Sequence, residues 1–176
     1  MRSELIQARL AKLDRLRELG VNPYPYDFAR THTTGELLEG FDERIAREPE
    51  TPVALCGRIL ALRPMGKATF AHLQDPGGKI QVYFRKDEIG EPGYEALSLL
   101  DLGDLIGVRG VPMRTRTGEA TVHARELTVL NKAIRPLPVV KEKDGQKFDA
   151  WTDLGARYRH RHIDLLLNPA SREVFE

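Results

Sequence analysis

The run Thr69-Phe70-Ala71-His72-Leu73-Gln74-Asp75-Pro76-Gly77-Gly78-Lys79-Ile80-Gln81-Val82-Tyr83-Phe84 decides how the rest of the chain folds. Its second half alternates strictly, so a strand turns Ile80, Val82 and Phe84 to a core and Gln81 and Tyr83 away from it. The first half alternates too, with Ala71 and Leu73 suited to the core and Phe70 and His72 facing out. Between them, Asp75 to Gly78 is a run of turn formers, so the halves read as a tight hairpin. Phe70, His72, Gln81 and Tyr83 are then expected together on one exposed face. An aromatic platform beside a carboxamide, preceded by Arg58, Arg63 and Lys67, suits an unpaired nucleic-acid base: stacking on the ring, hydrogen bonds at the edge, cations for phosphate.

Upstream of the hairpin, Val53 to Leu62 is rich in strand formers, and Gly57 within it marks an expected bulge or bend. Downstream, Glu91-Pro92-Gly93 reads as a loop and Tyr94 to Leu100 as a short helix. Leu105 to Met113 is a fourth strand, the turn Thr115-Arg116-Thr117-Gly118 follows, and Ala120 to Leu130 is a fifth. Three strands, a helix and two more strands match a mainly β fold, a five-stranded OB-fold barrel whose binding face lies on strands 2 and 3 and the flanking loops. A generic small barrel or sandwich is the alternative.

Ahead of the barrel, Ile6, Leu10, Leu13 and Leu16 recur at helical spacing from a cap at Ser3 until Gly20 and Pro23. This N-terminal α-helical arm either packs on the neighbouring domain or adds Arg9, Lys12, Arg15 and Arg17 as grip on an RNA backbone. A short helix near Thr34 to Glu39, capped by Thr33 or Thr34, precedes the first strand. Beyond Arg135-Pro136-Leu137-Pro138, Lys141 to Lys147 reads as charged and mobile. Gly155 to Leu167 is a helix ended by Asn168-Pro169, and a further segment starts at Ser171. The expected organisation is 1–50 arm and linker, 51–135 barrel, and 136–176 linker and the start of a further, incomplete domain that includes the C-terminal helical segment.

A formal charge of +1 over 176 residues identifies no partner, but its distribution is uneven. Glu36 to Glu50 holds six acids and two bases, while Leu105 to Arg135 holds six bases and two acids. The single cysteine, Cys56, excludes a disulfide framework and a zinc cluster and fits a reducing cytosol. With no signal peptide or membrane-length apolar run, a cytoplasmic protein is expected. His160 and His162, interleaved with Arg157, Arg159 and Arg161, lack metal-ligand spacing and read as an interface or domain-junction helix. Arg114 and Arg116 flank the turn at Gly118 and are candidates for an RNA phosphate.

Several ordered strings together resemble the class II lysyl-tRNA synthetases in their N-terminal anticodon-binding region. They are Gly20-Val21-Asn22-Pro23-Tyr24-Pro25-Tyr26, Met65 to Asp75, Gly78 to Tyr83, Asp101 to Val108, Arg116 to Glu119, Arg135 to Pro138 and Arg157 to Leu165. The resemblance implies that the barrel face receives the uridine-rich anticodon of the lysine tRNA. It implies stacking by Phe70, edge reading by Gln81, a neighbouring base read by Glu119, and a basic contact from Arg63, with Arg58 as a weaker match. His72, Lys67 and Arg116 complete the expected RNA-binding set. Because a glutamine amide, once rotated, could pair with cytosine as well as uracil, a neighbour must hold that of Gln81; Arg63, Lys79 and Glu119 are the candidates. The family's ligase chemistry uses ATP and Mg²⁺ in a catalytic domain with three signature motifs, and its members are homodimers. Ser171 to Glu176 reaches only the approach to the first motif, so these residues alone are not expected to catalyse, and no metal or cofactor is expected in this stretch. The alternatives are a free-standing RNA-binding module or truncated paralogue, and a protein-interaction barrel.

Overall fold

The computed structural model describes residues 2–138, 141–143, 146–148 and 153–175, in two units divided between Pro136 and Leu137. In the first unit the leading apolar periodicity becomes a helix, Arg2–Glu18 (α1), that starts one residue before Ser3 and so leaves Ser3 inside it. Leu13 and Leu16 are buried apolar side chains of this helix, and Leu16 joins the main hydrophobic cluster. Gly20, at φ 74°, turns the chain away after it. A second helix, Thr34–Leu38 (α2), starts at a capping box in which Thr33 and Glu36 bond each other's backbone. Phe41–Arg47 (α3) then follows, with Phe41 buried.

Five strands form the closed barrel: Val53–Met65 (β1), Ala68–Asp75 (β2), Gly78–Arg85 (β3), Leu105–Arg114 (β4) and Ala120–Asn131 (β5). Their order round the barrel is β1-β2-β3-β5-β4. All pairings are antiparallel except β3 with β5, which is parallel. The hairpin register sets Phe70 opposite Tyr83 and His72 opposite Gln81, while Ala71, Leu73, Ile80, Val82 and Phe84 fill the core. This arrangement is the expected OB-fold.

Several local expectations need correction. The bulge in β1 lies between Ile59 and Ala61, not at Gly57. Gly57 is needed for proximity instead, since a Cβ there would come within 2.9 Å of the Gln74 carbonyl oxygen on the neighbouring strand. The expected loop at Glu91 to Gly93 belongs to a helix, Lys86–Ser98 (α4), which kinks at Gly90 with φ 72° and carries Pro92 just after the kink. Pro92 therefore opens the second helical part, where its missing N–H is tolerated.

Four cations of α1, Arg9, Lys12, Arg15 and Arg17, are committed to the protein itself. Arg9 is nearly buried and donates to the carbonyls of Ala133 (2.8 Å) and Leu102 (3.0 Å). Lys12 pairs with Asp101 at 2.7 Å, Arg15 with Glu95 and Glu18, and Arg17 with Asp14. The arm is docked on the barrel, and its expected grip on RNA has no free cation among these four.

In the second unit, Lys141–Lys143 (β6) pairs antiparallel with Gln146–Phe148 (β7), where a mobile charged run was expected; positions 144 and 145 lie outside the described residues. The single helix expected from Gly155 is two, Leu154–Arg159 (α5) and Arg161–Leu167 (α6), broken at His160. Asp164 bridges the break: fully buried, it accepts bonds from Arg157, Arg161 and Asn168, each at 2.6 Å, and so gathers both sides of the joint. Burial alone would raise its pKa, but those donors hold it below the usual carboxylate range. A last helix, Pro169–Glu173 (α7), begins at the proline rather than at Ser171. No helix among the described residues is long and apolar enough to cross a membrane.

Candidate nucleic-acid interface

Four strands, β1 to β4, and the turn after β4 build a hollow of about 530 Å³ on the barrel face. From β2 comes Phe70, half-buried, its ring stacked on Tyr83 of β3 with centroids 4.7 Å apart and planes at 28°. Tyr83 in turn leans on His123 of β5 at 5.2 Å, so three neighbouring strands carry a continuous aromatic row. Burial lowers the pKa of His123, which keeps it a neutral ring against Tyr83. One face of Phe70 is occupied by Tyr83.

Gln81 departs from expectation in depth though not in side. It faces the hollow but is only 8% exposed, because β5 runs parallel to β3 and sets Thr121 directly beside it. The Gln81 amide nitrogen donates to Glu119 Oε2 at 2.6 Å, and its oxygen accepts from Thr121 Oγ1 at 2.9 Å. His72 Nε2 meets the other oxygen of Glu119 at 2.9 Å. Glu119 is thus the neighbour that holds the amide, with Thr121 as an unforeseen partner; Lys79 and Arg63 make no such bond.

The turn between β4 and β5 sets Glu119 in place. Gly118 takes φ 84°, a left-handed conformation that glycine adopts without strain. Thr115 then closes the turn: its hydroxyl accepts from Glu119 N at 3.0 Å, and its own N–H donates to the Glu119 carbonyl at 3.1 Å.

Among the expected cations the structure separates two groups. Arg63 and Arg116 are exposed and line the hollow, and neither is held by a carboxylate among the described residues. Lys67 lines a second hollow of about 770 Å³, which shares Met65 and Tyr83 with the first and adds Arg85 and Lys86. Arg58 lines neither hollow; it donates to the Gly103 carbonyl at 2.7 Å, and burial lowers its pKa against the pull of Asp104. Arg114 is likewise engaged, bonded to Asp42 and to the Gly118 carbonyl and lying over the Phe41 ring. Met113, Thr115, Thr117 and Thr121 were not foreseen. They come from strand ends and a turn that only the closed barrel brings to Phe70.

No group of three or more His, Cys, Asp or Glu among the described residues could hold a metal ion. Cys56 is a free thiol.

A stacked aromatic pair, a pinned carboxamide and two arginines free of carboxylate partners gather at one face of the OB-fold barrel. The family described as OB-fold nucleic acid binding domain matches residues 53–130, which covers all but the end of the barrel. Over almost its whole length the chain is similar to part of several lysine–tRNA ligases. It is 45% identical over 174 residues to the lysine–tRNA ligase of Pelotomaculum thermopropionicum, covering 99% of this chain and 32% of that protein. Those of Carboxydothermus hydrogenoformans and Moorella thermoacetica are 43% and 44% identical over 173 residues, 98% of this chain and 33% of each. The chain spans about a third of the length of these curated relatives.

Proposed function

We propose that this chain recognises the anticodon of a lysine tRNA and so selects the RNA for a ligase that attaches lysine to it. The observation that carries this reading is the buried Gln81 carboxamide held at the floor of a hollow beside the Phe70–Tyr83 stack. An unstacked base slides onto the free face of Phe70, where stacking contributes roughly 1 to 3 kcal/mol whatever the base. Discrimination falls to Gln81, which offers one N–H and one lone pair to a base edge. Arg63 and Arg116, at the rim, meet the adjoining phosphates. Lys67 serves the backbone of the next nucleotide along the second hollow.

The relatives' name supports lysine tRNA as the partner, and a uridine-rich anticodon fits the edge chemistry of Gln81. ATP and Mg²⁺, which the ligase reaction uses, would be held by residues other than those described. Pairing of two copies and a cytoplasmic setting, with Cys56 reduced, belong to the same reading.

Titration of a labelled lysine-tRNA anticodon stem-loop tests it, with a loop of unrelated sequence as control. Saturable binding that weakens as salt rises and that favours the lysine loop is expected. Equal binding of both loops would favour an RNA-binding module without tRNA selection, and no binding at low salt would exclude RNA as the partner of this face.

A further inference from the structure

We propose that Glu119 acts as a positioning residue whose carboxylate, held by His72, fixes the polarity of the Gln81 carboxamide and thereby makes the hollow prefer uridine to cytosine. The inference rests on the reading of the barrel face as an anticodon site. It assigns Glu119 a task inside the protein, where the resemblance had suggested contact with a neighbouring base.

The two ends of the carboxamide are nearly the same size but opposite in hydrogen-bonding sense. A carboxylate only accepts, so the end of Gln81 that lies 2.6 Å from Glu119 Oε2 must be the NH₂ group. The oxygen is then left 2.9 Å from Thr121 Oγ1. The threonine hydroxyl can donate or accept and also lies 3.1 Å from the Glu119 carbonyl, so it would tolerate either orientation and follows the amide. Glu119 alone imposes a direction.

Rotating the amide would set its oxygen against the carboxylate in a place where Gln81 is 8% exposed, and water would not replace the lost bond. The carboxylate cannot swing aside easily, because His72 holds its second oxygen at 2.9 Å and the Thr115 turn anchors its backbone. With one N–H spent on Glu119 and one lone pair on Thr121, the amide still presents one donor and one acceptor in a fixed order. Uracil carries a carbonyl at C4 beside an N3–H, an acceptor followed by a donor. Cytosine reverses that order with its C4 amino group and bare N3. A base held at one depth by Phe70 therefore matches the pinned amide as uracil and opposes it as cytosine.

The test is binding of stem-loops carrying uridine or cytidine at the central anticodon position, with a second pair altered at a flanking anticodon position. Wild-type protein is expected to favour central uridine by roughly tenfold or more, within the range of a two-bond edge contact. Glu119→Gln replaces the one-way acceptor with a group of the same size that tolerates both orientations. It should bring the central uridine-to-cytidine ratio to within about twofold while leaving the flanking ratio unchanged. Thr121→Val should keep a preference of the same direction.

A Glu119→Gln protein that retains the central preference, or loses only the flanking one, overturns the proposal. So does a Thr121→Val protein that loses the preference while Glu119→Gln keeps it. If wild-type protein binds the loops without preferring uridine, the orientation argument fails and the anticodon surface stands; if it binds neither loop, both fall.

Discussion

Lys132 Nζ lies 2.9 Å from Asp104 Oδ2, and both side chains are closed to solvent. Asp104 also accepts backbone bonds from Ala133 (2.8 Å) and Asp101 (2.7 Å), so the pair ties the end of β5 to the turn that precedes β4. Removing one member of a buried pair leaves the other charge uncompensated, at a cost of about 3 to 5 kcal/mol. Asp104→Ala should lose stability near the lower end of that range, because Asp101 still reaches Lys132 at 2.6 Å. Urea unfolding measures the loss; a change within about 0.5 kcal/mol of zero, the size of an ordinary surface effect, would contradict it.

Asp101 links this pair to α1 and brings a dependence on pH. Burial raises the pKa of its carboxyl, but bonds from Lys12 and Lys132 outweigh that and hold it below the ordinary 3.8. A carboxyl with a lower pKa folded than unfolded stabilises above the unfolded value and ceases to do so as pH falls through the folded one. Stability should therefore drop on acidification below about pH 4, and Asp101→Asn should flatten that part of the curve. Urea midpoints taken across the acid range compare the two proteins.

Phe70→Ala removes the platform while sparing the core, since Phe70 stands on the half-buried side of β2. Affinity for the stem-loop should fall by about 1 to 3 kcal/mol. Unchanged affinity by fluorescence anisotropy would remove Phe70 from the interface.

Arg114 and Arg116 differ by two positions and should behave oppositely. Neutralising Arg116 at the rim should lower the dependence of log affinity on log salt by about 0.7, the value for one phosphate contact on a single strand. Arg114→Gln should leave that slope alone and instead lower the thermal midpoint, because its guanidinium holds Asp42 of α3. Equal slopes for wild-type and Arg116→Gln proteins would take Arg116 off the RNA path.

Alternation in the hairpin was enough to read which residues face the core and which face the ligand, because a strand's side chains change sides at every residue. It could not give depth. Gln81 faces the expected side but is covered by Thr121, forty positions away, through a parallel β3–β5 pairing that no local pattern announces. The fate of individual arginines was hidden for the same reason. Asp42, which claims Arg114, is 72 positions upstream, and the carbonyl that claims Arg58 belongs to a turn 45 positions downstream. In α4, Glu91-Pro92-Gly93 reads locally as a loop, yet the kink falls at Gly90 and the proline serves as a start rather than a stop.

Arg9 fixes its guanidinium to the carbonyl oxygens of Ala133, Leu102 and Arg135 while Leu16, two turns further along α1, sits fully inside the core. The leading helix is thus joined to the barrel's own interior through Leu16. A protein begun after Gly20 would empty the seat of Leu16 and leave those carbonyls without their donor, so trimming the arm would weaken the very surface one hoped to isolate.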